Sequence, residues 1–257
     1  MKYSVCVDAL YRNKGSFSDA VQEIKKAGYG AVEFWGWWDK DIDEIKKLKD
    51  ELNLEIAAFC TMFVNPGDKE CQDEYLEELK KSIDVAKKLN CSTIISQAGA
   101  DVQSAQKRIT RKQHRKTLIE TMKKAAEIVE CEGITIVIEP LNILVDHPGY
   151  HLWFSEDGFD LIDKIGSPNI KLLFDIYHQQ ITEGNLISNI TENINKIGHF
   201  HAAGVPGRNE ITRGEIDYKH VFEAINALGY KKFMGLEYMT DEDPLKGLQE
   251  AKENILI

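Results

Sequence analysis

Thr135-Ile136-Val137-Ile138-Glu139-Pro140-Leu141-Asn142 places four β-branched side chains in a row and then presents a carboxylate beside a proline. Such a run suits a parallel strand buried on both faces, and the carboxylate marks where the burial ends. Three later stretches repeat the arrangement: Leu172-Leu173-Phe174-Asp175-Ile176-Tyr177-His178, Gly198-His199-Phe200-His201-Ala202 and Gly235-Leu236-Glu237-Tyr238. Each uses up a short apolar run and then offers a carboxylate or an imidazole. Working outward, runs of the same kind lie at residues 3–8, 31–36, 54–60 and 93–97, and the four just quoted occupy 134–142, 170–178, 198–203 and 233–238. All are short and bounded by Gly, Asn or Pro, as buried parallel strands tend to be.

Between these runs, residues 17–27, 42–52, 70–89, 112–131, 156–165, 186–197 and 218–228 read as amphipathic helices. In the first, Ala20, Val21, Ile24 and Ala27 fall at helical spacing and Gly28 follows the last turn. Asp41-Ile42-Asp43-Glu44 has the acidic N-cap and N3 glutamate of a helix start, while Asn90 and Gly229 close two others. The strand-to-strand repeat averages about 33 residues, but no residue motif recurs from unit to unit as a solenoid would require. Eight β-α units in 257 residues fit an α/β architecture, a closed (β/α)8 TIM barrel forming a single domain over 1–257. A doubly wound open sheet is the competing architecture. It would bring a Gly-rich phosphate loop, and the chain has neither Gly-x-Gly-x-x-Gly nor a P-loop.

Composition narrows the function classes. The chain is 43% hydrophobic and 29% charged, an ordinary globular balance. Lys+Arg 32 against Asp+Glu 42 gives a formal net charge of -10, which repels phosphate backbones and argues against a nucleic-acid partner. The densest basic stretch, residues 107–116, reads as a solvated helix face and the turn before it. Five widely spaced cysteines without a Cys-x-x-Cys pair suit neither a disulfide framework nor a cysteine-rich zinc site. Met1-Lys2-Tyr3-Ser4-Val5 lacks the apolar run of a signal peptide, and no stretch approaches the roughly 18 apolar residues of a membrane span. The expectation is a cytoplasmic protein with no membrane partner.

In a barrel the chemistry sits at the carboxyl ends of the strands. A bare carboxylate buried there costs several kcal/mol unless a cation or donors compensate it. Three carboxylates and a histidine converging from neighbouring strands make a site for one hard divalent cation. Mn2+ or Mg2+ suits such donors best, and Co2+ or Zn2+ is also accepted. Side chains alternate along a strand, so His199 and His201 point the same way, and His199 would lie deeper behind His201. The bland alternative is a set of strand-end residues capped by salt bridges to nearby helices.

These residues carry a resemblance. Ile138-Glu139-Pro140-Leu141-Asn142, Phe174-Asp175-Ile176-Tyr177-His178 and His199-Phe200-His201 resemble strand ends of the xylose-isomerase-like barrels. So do Val205-Pro206-Gly207-Arg208-Asn209-Glu210, Gly214-Glu215-Ile216-Asp217-Tyr218 and Gly235-Leu236-Glu237-Tyr238. The branch most resembled is the hydroxypyruvate isomerases, with the ketose (tagatose and psicose) 3-epimerases nearby. The resemblance runs the length of the chain and is sharpest from residue 134 onward. It implies one divalent metal held by Glu139, Asp175, His201 and Glu237. It also implies Glu139 and Glu237 as proton carriers, with His178 and Arg208 on the substrate. Three positions depart from the isomerase pattern or its neighbour. His201 stands where hydroxypyruvate isomerases carry glutamine, and Asn209 where they often carry histidine. Val145 stands about where the 3-epimerases carry a further glutamate.

The reaction expected is isomerisation of a small hydroxycarbonyl compound such as hydroxypyruvate through an enediolate, with ketose 3-epimerisation as the alternative. A metal that polarises the carbonyl acidifies the neighbouring C–H, and a carboxylate moves the proton. Arg208 follows Pro206 and Gly207, and its planar fork suits a carboxylate or clustered hydroxyls; a loop salt bridge with Glu210 or Glu215 is the alternative. Gln97 ends the fourth strand and is placed with Asn142 among the substrate-binding residues. Glu33 could reach the site or serve as a buried anchor for a lysine. In Trp35-Gly36-Trp37-Trp38, Trp35 is expected to wall the cleft, although such a cluster equally marks a subunit interface of a homo-oligomer. Two remoter functions share the barrel. An endonuclease-IV-like nuclease needs several metals and more strand-end histidines than His178, His199 and His201. A non-catalytic sugar-binding barrel has no use for two glutamates facing one metal.

Overall fold

The computed structural model describes residues 1–100 and 109–256; Lys107 and Arg108 of the basic stretch lie outside the described residues. The strands are β1 (Lys2–Cys6), β2 (Ala31–Phe34), β3 (Glu55–Cys60), β4 (Thr93–Gln97), β5 (Thr135–Glu139), β6 (Ile170–Asp175), β7 (Ile197–Ala202) and β8 (Phe233–Leu236). Each pairs in parallel with the next and β8 closes on β1, giving an eight-stranded barrel in chain order. Around it run α1 (Val7–Leu10), α2 (Phe17–Lys26), α3 (Ile42–Glu51), α4 (Gln72–Leu89), α5 (Arg111–Val129), α6 (Ser155–Ile165), α7 (Ile176–Thr182), α8 (Leu186–Asn193), α9 (Tyr218–Ala227) and α10 (Pro244–Asn254). No helix among the described residues is long and apolar enough to cross a membrane.

Local chemistry sets the element ends. Ser16 and Asp19 form a reciprocal capping box on α2, and Asp41 accepts from the Asp43 and Glu44 amides at the start of α3. Asn90 ends α4 in the left-handed region at φ 54°, and Gly229 follows α9 at φ 77°. Several strands stop short of the sequence reading, and two of them pass directly into helices. The sixth strand stops at Asp175, because its Oδ1 accepts from the amides of Tyr177 (2.8 Å) and His178 (3.3 Å) and so starts α7. Val7 likewise leaves β1 for the short α1. The basic stretch behaves as a helix face: Arg111 and Arg115 on α5 pair with Asp157 and Asp160 on α6.

The core has two parts. Most apolar side chains pack between strands and helices, with Phe34 and Phe59 stacked at 5.5 Å. A smaller group, Ala58, Cys60, Ile95, Val137 and Leu173, fills the barrel interior. Register then fixes the height of the strand ends. Gln97 pairs with Glu139, Asp175 with His201, and His201 with Gly235, two residues before Glu237. Gly235 is needed where it stands. A Cβ there would lie 2.0 Å from Glu33 Oε1 and 2.8 Å from His201 Cδ2.

Candidate active site

Barrel closure brings Glu139, Asp175, His201 and Glu237 together at the carboxyl ends of β5, β6, β7 and β8, with one candidate ligand atom from each within 4.8 Å of all the others. All four are buried, the most exposed at 6%. His201 Nδ1 is 3.2 Å from Glu237 Oε2 and 3.7 Å from Glu139 Oε1. Glu139 Oε1, Asp175 Oδ2 and His201 Nδ1 have no hydrogen-bond partner among the described residues. Buried polar atoms are nearly always satisfied, so three orphans pointing at one another mark a place for a missing partner. Two carboxylate oxygens and an imidazole nitrogen around that place, beside the Glu237 carboxylate, fit a divalent cation.

The electrostatics agree. Burial pushes the Asp175 carboxyl up to about 7, against the opposing pull of Arg208. Burial also works against ionisation of Glu237, but His201 and Arg208 outweigh it and hold this carboxyl well below its usual range. His201 is the converse: burial lowers it, and Glu237 and Glu33 raise it well above the ordinary imidazole value. The cluster thus packs three carboxylates against one imidazole and one guanidinium.

Behind His201, Glu33 completes a second layer. Its Oε2 accepts from Ser4 (3.0 Å) and meets His199 Nε2 (3.0 Å), and its Oε1 lies 3.1 Å from His201 Nε2. Burial opposes the charge on Glu33, but His201 and His199 lower the carboxyl to about 2. The partners of Glu33 are therefore imidazoles and a serine, not the lysine that sequence alone left open. His199 lies deeper than His201, at 1% exposure, and reaches Glu33 rather than the cation position.

Arg208, at φ 56° after Gly207, turns into the barrel instead of pairing with Glu210 or Glu215. It donates to Glu237 Oε2, approaches Asp175 Oδ2 at 3.8 Å and lies 5.4 Å over the Tyr177 ring. Its buried Nε has no hydrogen-bond partner among the described residues. Glu210 instead accepts from Thr240 and faces Arg213, while Glu215 accepts from Gln180.

A cavity of about 350 Å³ opens onto this cluster. Trp35, Gln97, Glu139, His147, Arg208 and Glu237 are among its lining residues. Gln97 accepts from the Tyr150 hydroxyl at 2.9 Å. Trp35 donates its indole N–H to Glu237 Oε1 at 2.5 Å, so it is wall and positioning group at once. The other tryptophans go elsewhere: Trp37 donates to Ser82 on α4, and Trp38 meets Phe63 edge-on at 5.1 Å. A larger cavity of about 550 Å³ opens at the opposite end of the barrel, by Lys2, Tyr29, Glu55 and Phe233, away from the strand ends that carry the chemistry.

Asn142 and His178, both expected on the substrate, are fully buried and do not line the cavity, and Asn142 uses its amide elsewhere. Oδ1 accepts from the Val145 and Asp146 amides, and Nδ2 reaches Asp146 Oδ2 and His178 Nδ1, both at 2.7 Å. His178 itself is buried beside the cluster, with Nε2 3.6 Å from Asp175 Oδ2. The sequence reading missed Asp146 and His147, which do line the cavity; Val145 between them and Leu144 is 65% exposed. The turn residues Pro148-Gly149 were the available signal for a loop folded back over the strand end.

Fold and site together define an enzyme built on a xylose-isomerase-type barrel. The sequence matches the family of xylose isomerase-like TIM barrels over residues 21–256, and the chain belongs to that family. It is 31% identical to the hydroxypyruvate isomerase of Escherichia coli, over 97% of this chain and 97% of that protein. It is likewise 31% identical to the 2-oxo-tetronate isomerase of Cupriavidus necator, over 92% of each. The crystal structure of an AP endonuclease, family 2, from Brucella melitensis superposes with a TM-score of 0.89 at 26% identity, covering 99% of both chains. With these relatives, the chain is an enzyme of isomerase or epimerase type.

Proposed function

We propose that the protein is a divalent-metal-dependent isomerase of a small 2-oxo acid of the hydroxypyruvate type. The observation that carries this reading is the convergence of three orphaned ligand atoms with an unpaired Arg208 Nε beside one small cavity. Glu139, Asp175, His201 and Glu237 would hold the cation, which when bound polarises a carbonyl and acidifies the C–H next to it. The residues of the chain supply the rest. Arg208 orients the carboxylate end of the substrate by a charge-assisted contact. Both relatives named above take their names from 2-oxo acids, which supports this assignment. Glu237 is fixed by Trp35 and Arg208 and stays ionised, so it is a weak base. Glu139 gives Oε1 to the cation cluster and leaves Oε2, held by no hydrogen bond among the described residues, for the proton, so it is the better shuttle. It takes the proton from the carbon beside the carbonyl and returns it to the neighbouring carbon of the planar enediolate. Trp35, Ile95 and Leu141 give the cavity an apolar wall that keeps water from quenching the carbanion.

A second reading, 3-epimerisation of a ketose, draws on the fact that Glu139 and Glu237 both line the cavity, which would give each face of the enediolate its own carboxylate. One experiment separates the two. The protein with added Mn2+ is incubated in D2O with hydroxypyruvate, three- and four-carbon hydroxycarbonyl acids and a panel of ketoses. Isomerisation places deuterium at the carbons adjoining the carbonyl of an acid. Label at C3 of a ketose, with none in the acids, would overturn the isomerase reading.

A further inference from the structure

We infer that Asn142 is a positioning residue that fixes the tautomer of His178, so that the buried imidazole carries its proton on Nε2, the nitrogen that faces Asp175 in the ligand cluster. The argument starts from donors that have no choice. The backbone N–H of Asn142 can only donate, and it points at His178 Nδ1 at 3.4 Å. The side chain of Asn142 has none either. Its Oδ1 is held by two backbone amides, Val145 at 3.0 Å and Asp146 at 3.2 Å, so the NH2 end must be the one facing His178. That NH2 splits between Asp146 Oδ2 and His178 Nδ1, each at 2.7 Å. The carboxylate of Asp146 is anchored in turn by the Tyr177 hydroxyl at 2.9 Å. With two donors on Nδ1, that nitrogen must carry a lone pair, and the proton of a neutral ring sits on Nε2.

Nε2 has no hydrogen-bond partner among the described residues and lies 3.6 Å from Asp175 Oδ2, too far for a firm bond. A donor held ready and unspent beside the cation position is suited to an oxygen of the substrate, where negative charge develops as the proton leaves carbon. This last step rests on the function proposed above; the tautomer does not. Asn142 therefore acts through His178 and not on the substrate, which explains why it is buried with every polar atom engaged.

The test is spectroscopic first. Two-bond 1H–15N correlation on 15N-histidine-labelled protein, metal-free and with Mg2+ at neutral pH, should show His178 neutral with Nε2 protonated and Nδ1 bare. The Asn142→Asp variant puts an acceptor against Nδ1 and should move a proton onto that nitrogen. Thermal unfolding checks that the variant folds. A wild-type ring protonated at Nδ1, or a folded Asn142→Asp protein in which Nδ1 stays bare, overturns the inference. If the spectra are as expected, kcat of Asn142→Asp with Mg2+ should fall about 10²-fold with KM changed less. Expected spectra with unchanged turnover would reject the donor role of His178 while leaving the tautomer assignment in place, and failure of the enzyme reading would leave the spectra untouched.

Discussion

Glu139 and Glu237 stand side by side at His201, yet their surroundings separate their tasks. Glu237 has both oxygens engaged, by Trp35 and Arg208, whereas Glu139 can give Oε1 to a cation and still keeps Oε2 without a hydrogen bond among the described residues. Glu139→Gln should lower kcat by about 10² to 10⁴, the usual loss for a general acid-base group, with the fold retained by circular dichroism. Glu237→Gln should lose as much and also weaken cation binding; near-normal turnover of either variant would refute the assignment. Arg208 gives a sharper contrast. For a substrate bearing a carboxylate, Arg208→Ala should raise KM by about 10- to 100-fold, equivalent to about 1.5 to 3 kcal/mol, while a neutral ketose should suffer much less. Equal penalties for acid and neutral substrates would remove Arg208 from carboxylate recognition. The four cluster positions were legible because each closes an apolar run. Glu33 was ambiguous because its partners lie far off in sequence, His199 being 166 residues away, and a strand-end glutamate does not name its partner. The setting of Asn142 was not legible, because the same motif that turns Glu139 into the cavity buries the residue three places on against His178.

Among the elements, the packing of α5 against the loop after β5 carries a pH dependence remote from the cluster. His114 on α5 is 1% exposed and its ring lies 4.4 Å from that of His151. Burial, helped by His151, lowers it from 6.5 to about 4. Below its unfolded value the unfolded chain binds a proton that the folded one refuses, so stability is full above pH 6.5 and drains away as the pH falls toward 4. Between pH 7 and 5 the loss from this one ring is about 2 kcal/mol. Urea unfolding at the two pH values, in the wild type and in His114→Gln, should show that difference shrinking in the variant; an identical pH dependence in both would exclude His114 as its source. Helices of this kind were readable from periodicity and caps. The boundary at Asp175 was not, since strand and first helical turn are equally apolar there and only the side-chain cap on Tyr177 and His178 separates them. The helix after β8, α10, had its own signal in Asp243-Pro244, where the aspartate accepts from Leu245 and proline opens the helix, but its weak apolar pattern hid it.

For the whole molecule, closing eight strands into a ring does what no single element can: it stacks three carboxylates at one height around one imidazole. A cation held there as proposed would be a clasp joining β5, β6, β7 and β8. Binding to the folded state alone adds about 2.7 kcal/mol at a hundredfold excess over Kd, which for a chain of this size raises Tm by roughly 5 to 10 °C. Asp175 allows that clasp to be separated from ordinary stability. Its Oδ1 caps α7 and its Oδ2 faces the cluster. Asp175→Asn keeps a capping oxygen, asparagine being as good an N-cap as aspartate, and removes only the charge. Because burial holds the Asp175 carboxyl near 7, its ionised form is a burden to the metal-free protein above that pH. The metal-free variant should therefore unfold at the same temperature as the wild type or slightly above it at pH 8. The Mn2+-induced rise in Tm should shrink or vanish, and elemental analysis should fall from about one ion per chain toward none. A metal-free variant that melts well below the wild type would mean that Asp175 is a structural ion-pair partner of Arg208, and a full Mn2+ shift in that variant would remove it from the ligand set.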